Sequence, residues 1–208
     1  INRLIEDRLK PLASDTLFGT SENLLNEACA HLCVSPHAKR VRPLLCLYYH
    51  ELFCEQFESY FINIGVAAEF IHAASLLHDD IIDEADKRRG VITTNNRYGN
   101  KTAVLAGDYL LTEAFNLLMP FDRVLIDRAI SVVREMTKSA IAELNACGNT
   151  DLTPLDVQKI ALGKTGLLFS WCGFAVSVVC KKSQATDNLW QLGKHIGMLF
   201  QLADDIKD

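Results

Sequence analysis

The chain has 208 residues, of which 49% are hydrophobic and 23% are charged, and its net charge at pH 7 is −5. This composition excludes a disordered chain, because it provides enough apolar surface for a substantial core, and the length suits one domain. The negative charge argues against a nucleic-acid-binding surface, so any site for an anion must be local.

Helical patterns dominate the chain. Long segments lack proline and carry apolar residues three and four positions apart, whereas few runs alternate as strands do. Thr153, Pro154 and Asp156 form a helix start signal, with Thr as N-cap, Pro at the first position and Asp in the first turn. One all-α domain is therefore predicted, with loops near residues 12–20, 35–39, 86–98 and 147–153. The predicted helices lie near residues 1–10, 21–33, 40–54, 59–84, 101–119, 122–146, 155–181 and 187–208.

The longest apolar run, LLFSWCGFAVSVVC, covers residues 167–180. A membrane-spanning helix needs about 20 apolar residues, whereas this run is shorter and contains Ser170, Gly173 and Ser177. We therefore predict a buried core helix and no transmembrane segment. The first residues also lack the pattern of a signal peptide.

The seven cysteines are an odd number, and no two show the C-x-x-C spacing of zinc ribbons or redox motifs. Cys29 and Cys33 stand four apart on a predicted helix, but no second ligand pair matches them. We therefore predict buried free thiols and, from them, a reducing cytoplasmic location. The remaining cysteines are Cys46, Cys54, Cys147, Cys172 and Cys180.

The stretch HDDIIDEADKRRG, residues 78–90, places acidic side chains at the end of an apolar helical run. At about 100° per residue, Asp79 and Asp83 share a helix face, and Asp80 lies about a quarter-turn away. Like charges so placed repel each other. The preceding run, EFIHAASLLH, is apolar around most of its circumference, as in a helix inside a bundle. Carboxylates at such a place need a compensating cation.

The chain ends in QLADDIKD, where Asp204, Asp205 and Asp208 repeat the DDxxD spacing. One such motif occurs by chance on surface helices, but two copies, each after an apolar helical stretch, are a much stronger signal. Carboxylates without clustered His or Cys select a hard divalent ion, and Mg²⁺ fits because it shares its ligands with phosphate oxygens. A di-iron bundle would need Glu-x-x-His pairs, which the sequence lacks.

Three small basic clusters suit phosphate oxygens, Arg in a forked geometry and Lys as a point charge. Each alone is more typical of a solvated surface. Together with two acidic metal sites they indicate two bound diphosphates. The clusters are Lys39, Arg40 and Arg42 in AKRVRP, Arg88 and Arg89 in DKRRG, and Lys164 in LGKTG.

With these motifs the sequence resembles the trans-isoprenyl diphosphate synthases, the polyprenyl synthetase family, and most of all its long-chain members. The resemblance runs in family order through KRVRP, EFIHAASLLHDDIIDEADKRRG, YGNKTAVLAGDYLL, GKTGLLF and FQLADDIKD. It implies the isoprenoid synthase fold, an all-α bundle around a deep central cavity with the two acidic motifs at its mouth. It also implies a homodimer. Family members continue for several helices, so residues 1–208 are expected to form one domain that is incomplete at its C-terminus.

The activity so implied is a Mg²⁺-dependent condensation of isopentenyl diphosphate with an allylic diphosphate such as farnesyl diphosphate. The allylic C–O bond ionises, the isopentenyl double bond attacks the cation, and a proton is lost to the released diphosphate. The product is a longer all-trans polyprenyl diphosphate. Side chains just upstream of the first acidic motif set its length, and the small residues Ala74 and Ser75 there imply a product beyond farnesyl.

The site residues of the family carry over motif by motif. Asp79 and Asp83 would bind two Mg²⁺ ions and Asp204 a third, with support from Asp80, Asp205 and Asp208. The allylic substrate would contact Arg88, Lys164, Thr165 and Gln201. Isopentenyl diphosphate would contact Lys39, Arg42, His72 and Arg89. Without the resemblance, His72 reads as a core histidine.

Two stretches depart from the family pattern. His37-Ala38 stands where Gly-Gly is usual, and Ser139, Ala140 and Glu143 replace a Gly-Glu pair and a later Gln. These departures leave open a catalytically weak or regulatory subunit of a heteromeric synthase. A class I terpene cyclase is disfavoured, because it would carry an Asn/Ser/Glu metal motif and no bases for isopentenyl diphosphate.

Overall fold

The computed structural model describes residues 3, 7, 19–35, 38–54 and 61–206. The described chain is mostly helical, so the predicted all-α class is confirmed. Most of the predicted helix near residues 1–10 lies outside the described residues, as do His37 and Asp208. The helices are α1 (Gly19–Cys33), α2 (Val41–Phe53), α3 (Ile62–Ile82), α4 (Thr94–Tyr98), α5 (Asn100–Leu118), α6 (Arg123–Ala146), α7 (Pro154–Ala161), α8 (Leu167–Val179) and α9 (Thr186–Asp205).

The chain divides into two compact units, which we call the acidic-helix unit (residues 1–43 and 66–117) and the C-terminal unit (residues 44–65 and 118–208). In the acidic-helix unit the core is formed by α1, α3 and α5, with Leu77 and Leu110 fully buried. Small residues let these helices approach closely. A methyl group added at Gly107 of α5 would overlap the His78 ring of α3.

The predicted loop at residues 86–98 is wrong in part, because it contains a β-hairpin and the short helix α4. Strands β1 (Lys87–Arg88) and β2 (Val91–Ile92) pair antiparallel, with Arg88 opposite Val91. Arg89 and Gly90 form the two-residue turn, with φ of 54° and 79°. Positive φ at both central residues is typical of the tightest hairpin turn. Strands of two residues are too short to show an alternating sequence pattern.

In the C-terminal unit, α8 is the central helix, and its residues from Leu168 to Ser177 are buried. The indole Nε1–H of Trp171 donates to the carbonyl of Leu125 over 3.2 Å. Among the described residues, the stretch Pro154–Val179 is long and apolar enough to span a membrane, but 72% of its apolar window is buried. The predicted core helix is thereby confirmed. The predicted start signal is also confirmed, since Thr153 and Asp156 form a reciprocal capping box.

The predicted helix at residues 155–181 is interrupted by a π-helical segment, Leu162–Gly166. Its glycines allow a very close approach to other helices. A methyl group at Gly163 would overlap the Ser139 hydroxyl of α6. Single-turn π segments within α-helices are frequent at functional sites, and this one carries Lys164 and Thr165.

The prediction of buried free thiols is confirmed for four cysteines and is wrong for three, one of which is free but exposed. Cys29, Cys33, Cys46 and Cys172 are buried, Cys147 is exposed, and none of these five forms a disulfide. Cys54 and Cys180, however, form a disulfide with their Cα atoms 6.0 Å apart. The two residues are 126 positions apart, and only the packing of α2 against α8 brings them together, so spacing in the sequence gave no sign of it.

Candidate active site

The first acidic motif lies at the C-terminal end of α3. Asp79 and Asp80 occupy its last turn, and Asp83 directly follows Ile82, the last helical residue. The last turn of α3 holds no basic residue. A helix C-terminus carries partial negative charge, so three carboxylates there add to an already unfavourable potential. This position strengthens the argument for a bound cation beyond the mutual repulsion of the side chains.

Asp80 is the buried member of the motif, with only 1% of its surface exposed. Its Oδ1 accepts a hydrogen bond from Arg88 Nε over 2.7 Å, and Arg88 Nη2 lies 2.7 Å from the same oxygen. Burial raises the pKa of the Asp80 carboxyl, and the Arg88 charge acts against that rise. Among the described residues, Asp80 Oδ2 is buried without a hydrogen-bond partner. This half-satisfied carboxylate fits a metal or a metal-bound water.

An electropositive cluster surrounds His72, two helical turns before Asp79 on α3. Loss of water around the imidazole lowers its pKa well below 6.5, and the positive charges of Arg42, Arg89, Arg88 and Arg40 lower it further. Arg42 is 6% exposed, whereas Arg89 at the hairpin turn is exposed. His72 is therefore neutral at pH 7, in a potential suited to an anion. Of the four residues predicted to bind isopentenyl diphosphate, Arg42, His72 and Arg89 belong to this electropositive cluster. The fourth, Lys39, is exposed.

Arg40 differs from the other bases in its surroundings. It is 7% exposed, and its Nη1 donates to Glu69 Oε1 over 2.7 Å. Its Nη2 also donates to the carbonyl of Cys33. Arg40 therefore joins α1 to α3 within the core, and its neighbour Arg42 is the better candidate for a ligand.

The predicted product-length residues lie one turn before the acidic motif. Ala74 is buried, and Ser75 is half-buried. The Ser75 hydroxyl donates to the carbonyl of His72 over 2.8 Å, so its polar group is satisfied within α3. Both positions therefore present little bulk, as the sequence indicated.

The C-terminal unit brings a second set of predicted residues together. Thr165 in the π segment donates from its hydroxyl to Gln201 Oε1 on α9 over 2.6 Å. Its neighbour Lys164 donates from Nζ to Glu143 Oε2 on α6 over 2.5 Å. Asp204 lies on α9 one turn after Gln201 and is half-buried, and Asp205 is the last residue of α9. The π segment thus connects α6 and α9 through two polar contacts.

Glu143 was missed as a site residue. The sequence marked it only as a departure from the family pattern, where a Gln is usual. Its position one helical turn after Ser139 was a usable signal, because the same turn of α6 packs against Gly163. The carboxylate places a negative charge beside the lysine expected to bind an allylic diphosphate.

Comparisons with known proteins identify chains of similar sequence and fold. The polyprenyl synthetase family model matches residues 22–208. An all-trans-nonaprenyl-diphosphate synthase of Rhodobacter capsulatus is 31% identical, with coverage of 98% of this chain and 65% of the relative. A farnesyl diphosphate synthase of Bacillus subtilis is 34% identical, with coverage of 82% and 62%. The chain thus spans just under two thirds of the length of these curated relatives.

Solved structures give the same result for the fold. A decaprenyl diphosphate synthase from Rhodobacter capsulatus superposes with a TM-score of 0.89 at 29% identity, covering 100% of this chain and 61% of that one. An isoprenoid synthase family member from Thermotoga neapolitana superposes with a TM-score of 0.85 at 30% identity, covering 99% and 79%.

Proposed function

This chain belongs to the polyprenyl synthetase family, and we propose that it condenses isopentenyl diphosphate with an allylic diphosphate to form a longer all-trans polyprenyl diphosphate. The observation that supports this most is that α3 carries two sites of opposite charge. An acidic helix end at Asp79, Asp80 and Asp83 suits metal ions, and the electropositive cluster around His72 suits an anion. Seven residues of helix correspond to about 10 Å, a separation suited to two neighbouring diphosphate groups.

Mg²⁺ is the metal that this donor set fits, since carboxylates alone select a hard ion. Asp79 and Asp83 would hold two ions and Asp204 a third, with Asp80, Asp205 and Asp208 in support. Ions held by these carboxylates would supply positive charge for the departing diphosphate. The buried, half-satisfied Asp80 and the negative end of α3 are the features of this chain that favour a cation.

The other residues act on the substrates. Arg88 holds Asp80 with Nε and Nη2, and because a guanidinium has five N–H donors, it has further donors for the allylic diphosphate. Lys164, Thr165 and Gln201 would bind and orient that substrate. Isopentenyl diphosphate would be bound by Lys39, Arg42 and Arg89, with neutral His72 as a hydrogen-bonding partner. The released diphosphate, beside the new cation, would take the proton.

Product length, location and assembly follow from the same proposal. The small side chains of Ala74 and Ser75 support a product longer than farnesyl. Relatives of this chain include a nonaprenyl and an octaprenyl diphosphate synthase, which supports a long product. We also propose a cytoplasmic homodimer. The four buried thiols support a reducing location, whereas the bond between Cys54 and Cys180 does not.

Incubation of the protein with Mg²⁺, isopentenyl diphosphate and farnesyl diphosphate tests the proposal. Mass spectrometry of the extracted products should show successive five-carbon additions. Absence of any elongation would reject the enzymatic function. Omission of Mg²⁺, with a chelator present, should abolish elongation and test the metal separately.

A regulatory subunit of a heteromeric synthase is the second candidate, and the contact between Glu143 and Lys164 favours it. A carboxylate on this lysine lowers the positive charge available to a diphosphate. A subunit of this kind would bind isopentenyl diphosphate without turnover. Calorimetric binding of isopentenyl diphosphate, measured beside the elongation assay, distinguishes the two candidates.

A further inference from the structure

A group of metal-type donors lies in the C-terminal unit, among residues that the proposed reaction does not use. It consists of His50, Cys54 and Cys180, whose ligand atoms all lie within 4.8 Å of one another. His50 is in the last turn of α2, Cys54 follows that helix, and Cys180 is the residue that ends α8. We call this group the Cys-His cluster.

The spacing of the Cys-His cluster suits chelation. His50 and Cys54 are four residues apart at the end of α2, and the helical hydrogen bond continues through them, since Cys54 N donates to His50 O over 2.8 Å. Side chains at i and i+4 lie on one face of a helix, which is the spacing that lets one helix supply two ligands to a metal. Cys180 approaches from α8 and supplies a third donor.

The surroundings of the cluster favour a cation. It lies at the C-terminal ends of both α2 and α8, which carry partial negative charge. His50 is 4% exposed, and its ring centroid lies 4.3 Å from that of Phe61, so the imidazole is held by packing. Cys54 and Cys180 are only half-buried, which leaves access for an ion.

The chemistry of the donors identifies the class of ion. Two sulfurs and one imidazole nitrogen are soft to borderline ligands, which select Zn²⁺ over Mg²⁺. Two cysteines and one histidine leave the fourth tetrahedral position for water or another ligand. In the structure the two sulfurs are joined as a disulfide, which cannot supply thiolates, so the metal site exists only in the reduced protein.

We propose that the reduced Cys-His cluster binds a single thiophilic divalent ion, Zn²⁺ or its analogue, through Cys54, Cys180 and His50. A thiol or phosphine reductant supplies two electrons, and the disulfide takes up two protons to give two thiols. Both protons leave when the thiolates bind the ion. Reoxidation of the two sulfurs to the disulfide, by an oxidant that takes up two electrons, releases the ion. The cluster would thus tie α2 to α8 in either redox state, once by a covalent bond and once by a metal.

Cobalt binding tests this proposal with a spectroscopic readout. The chain is treated with a phosphine reductant under anaerobic conditions and titrated with Co²⁺ in excess Mg²⁺, which competes with Co²⁺ for carboxylate ligands. The reduced protein should show the charge-transfer absorption of thiolate-bound Co²⁺, saturating at one ion per chain. The untreated, disulfide-bonded protein should show none. This comparison needs no substitution and is independent of folding defects in variants.

Substitutions then assign the ligands. Cys54→Ser and Cys180→Ser should each remove most of the charge-transfer band, and His50→Gln should weaken Co²⁺ binding by more than about tenfold. Cys147→Ser is the matched control, because Cys147 is an exposed, unbonded cysteine of the same unit, and it should bind as the parent does. Circular dichroism checks that each variant is folded. No band in the reduced parent, or an unchanged band in Cys54→Ser, would overturn the proposal.

Discussion

Lys164 Nζ lies 2.5 Å from Glu143 Oε2, in a contact between the π segment and α6. Both side chains are partly exposed, at 31% and 43%, so the ion pair contributes little to stability after screening by water. The ion pair matters more for binding of the allylic diphosphate. The lysine that would attract an allylic diphosphate already has a carboxylate beside it, and an incoming diphosphate must approach or displace that negative charge.

Glu143→Gln should therefore improve binding of the allylic substrate. Removal of one like charge near a phosphate is worth about 1 kcal/mol in water-exposed surroundings, so we expect KM for the allylic diphosphate to fall roughly fivefold. KM for isopentenyl diphosphate should change little. Steady-state kinetics with each substrate varied in turn measures both values.

Glu135→Gln is the matched control for this change. Glu135 lies on the same helix, and its carboxylate contacts Lys138 over 2.9 Å on an exposed surface. That variant should leave both KM values as in the parent. An unchanged allylic KM in Glu143→Gln would show that the carboxylate does not oppose the substrate.

Arg88→Gln should destabilise the fold because it leaves the buried Asp80 carboxylate without its charged partner. Asp80 is 1% exposed on its side chain and Arg88 is 28% exposed, so we expect a loss of about 2–3 kcal/mol in the free energy of unfolding. Denaturation in urea measures it. Adding Asp80→Asn should restore part of the loss, since a neutral amide is less costly to bury.

The control for Arg88 is Arg123→Gln. Arg123 pairs with Asp127 at 3.5 Å, with 89% and 60% of the two side chains exposed. Removal of such a surface pair should change the free energy of unfolding by less than about 0.5 kcal/mol. Equal losses in the two arginine variants would contradict the special role given to Asp80.

His72 should make the protein less stable in acid. Its pKa in the folded protein lies well below 6.5, so between the two pKa values the unfolded chain binds more protons than the folded one. The stability that neutral His72 provides is complete above pH 6.5 and is lost as the pH falls toward its folded pKa. His72→Gln should flatten the fall of Tm between neutral and acidic pH, and parallel Tm curves would contradict this.

Ala74→Phe should shorten the product. Ala74 is buried one turn before the acidic motif. If it lines the path of the growing chain, as proposed, an aromatic ring there would obstruct that path. Product mass with farnesyl diphosphate as primer measures the effect, and Ser75→Ala, which changes little bulk, is the control. A product distribution unchanged by the ring would remove Ala74 from control of length.

The sequence predicted the features that depend on local pattern. The apolar run before Asp79 identified α3, and Thr153 with Asp156 identified the start of α7. The π segment was missed because it depends on contact between Gly163 and α6, and the hairpin at Arg89 because two-residue strands show no periodicity. The disulfide joins residues far apart in the chain. Glu143 could not be recognised as a site residue because its role depends on contact with Lys164, which lies 21 positions away.

The elongation assay with Asp79→Ala tests the central claim most directly. The parent with Mg²⁺, isopentenyl diphosphate and farnesyl diphosphate should give polyprenyl diphosphates beyond farnesyl. Asp79→Ala should lower turnover by at least about a hundredfold, whereas Asp127→Ala, which removes an exposed carboxylate on α6, should leave it unchanged. No elongation by the parent, or full activity in Asp79→Ala, would contradict the account.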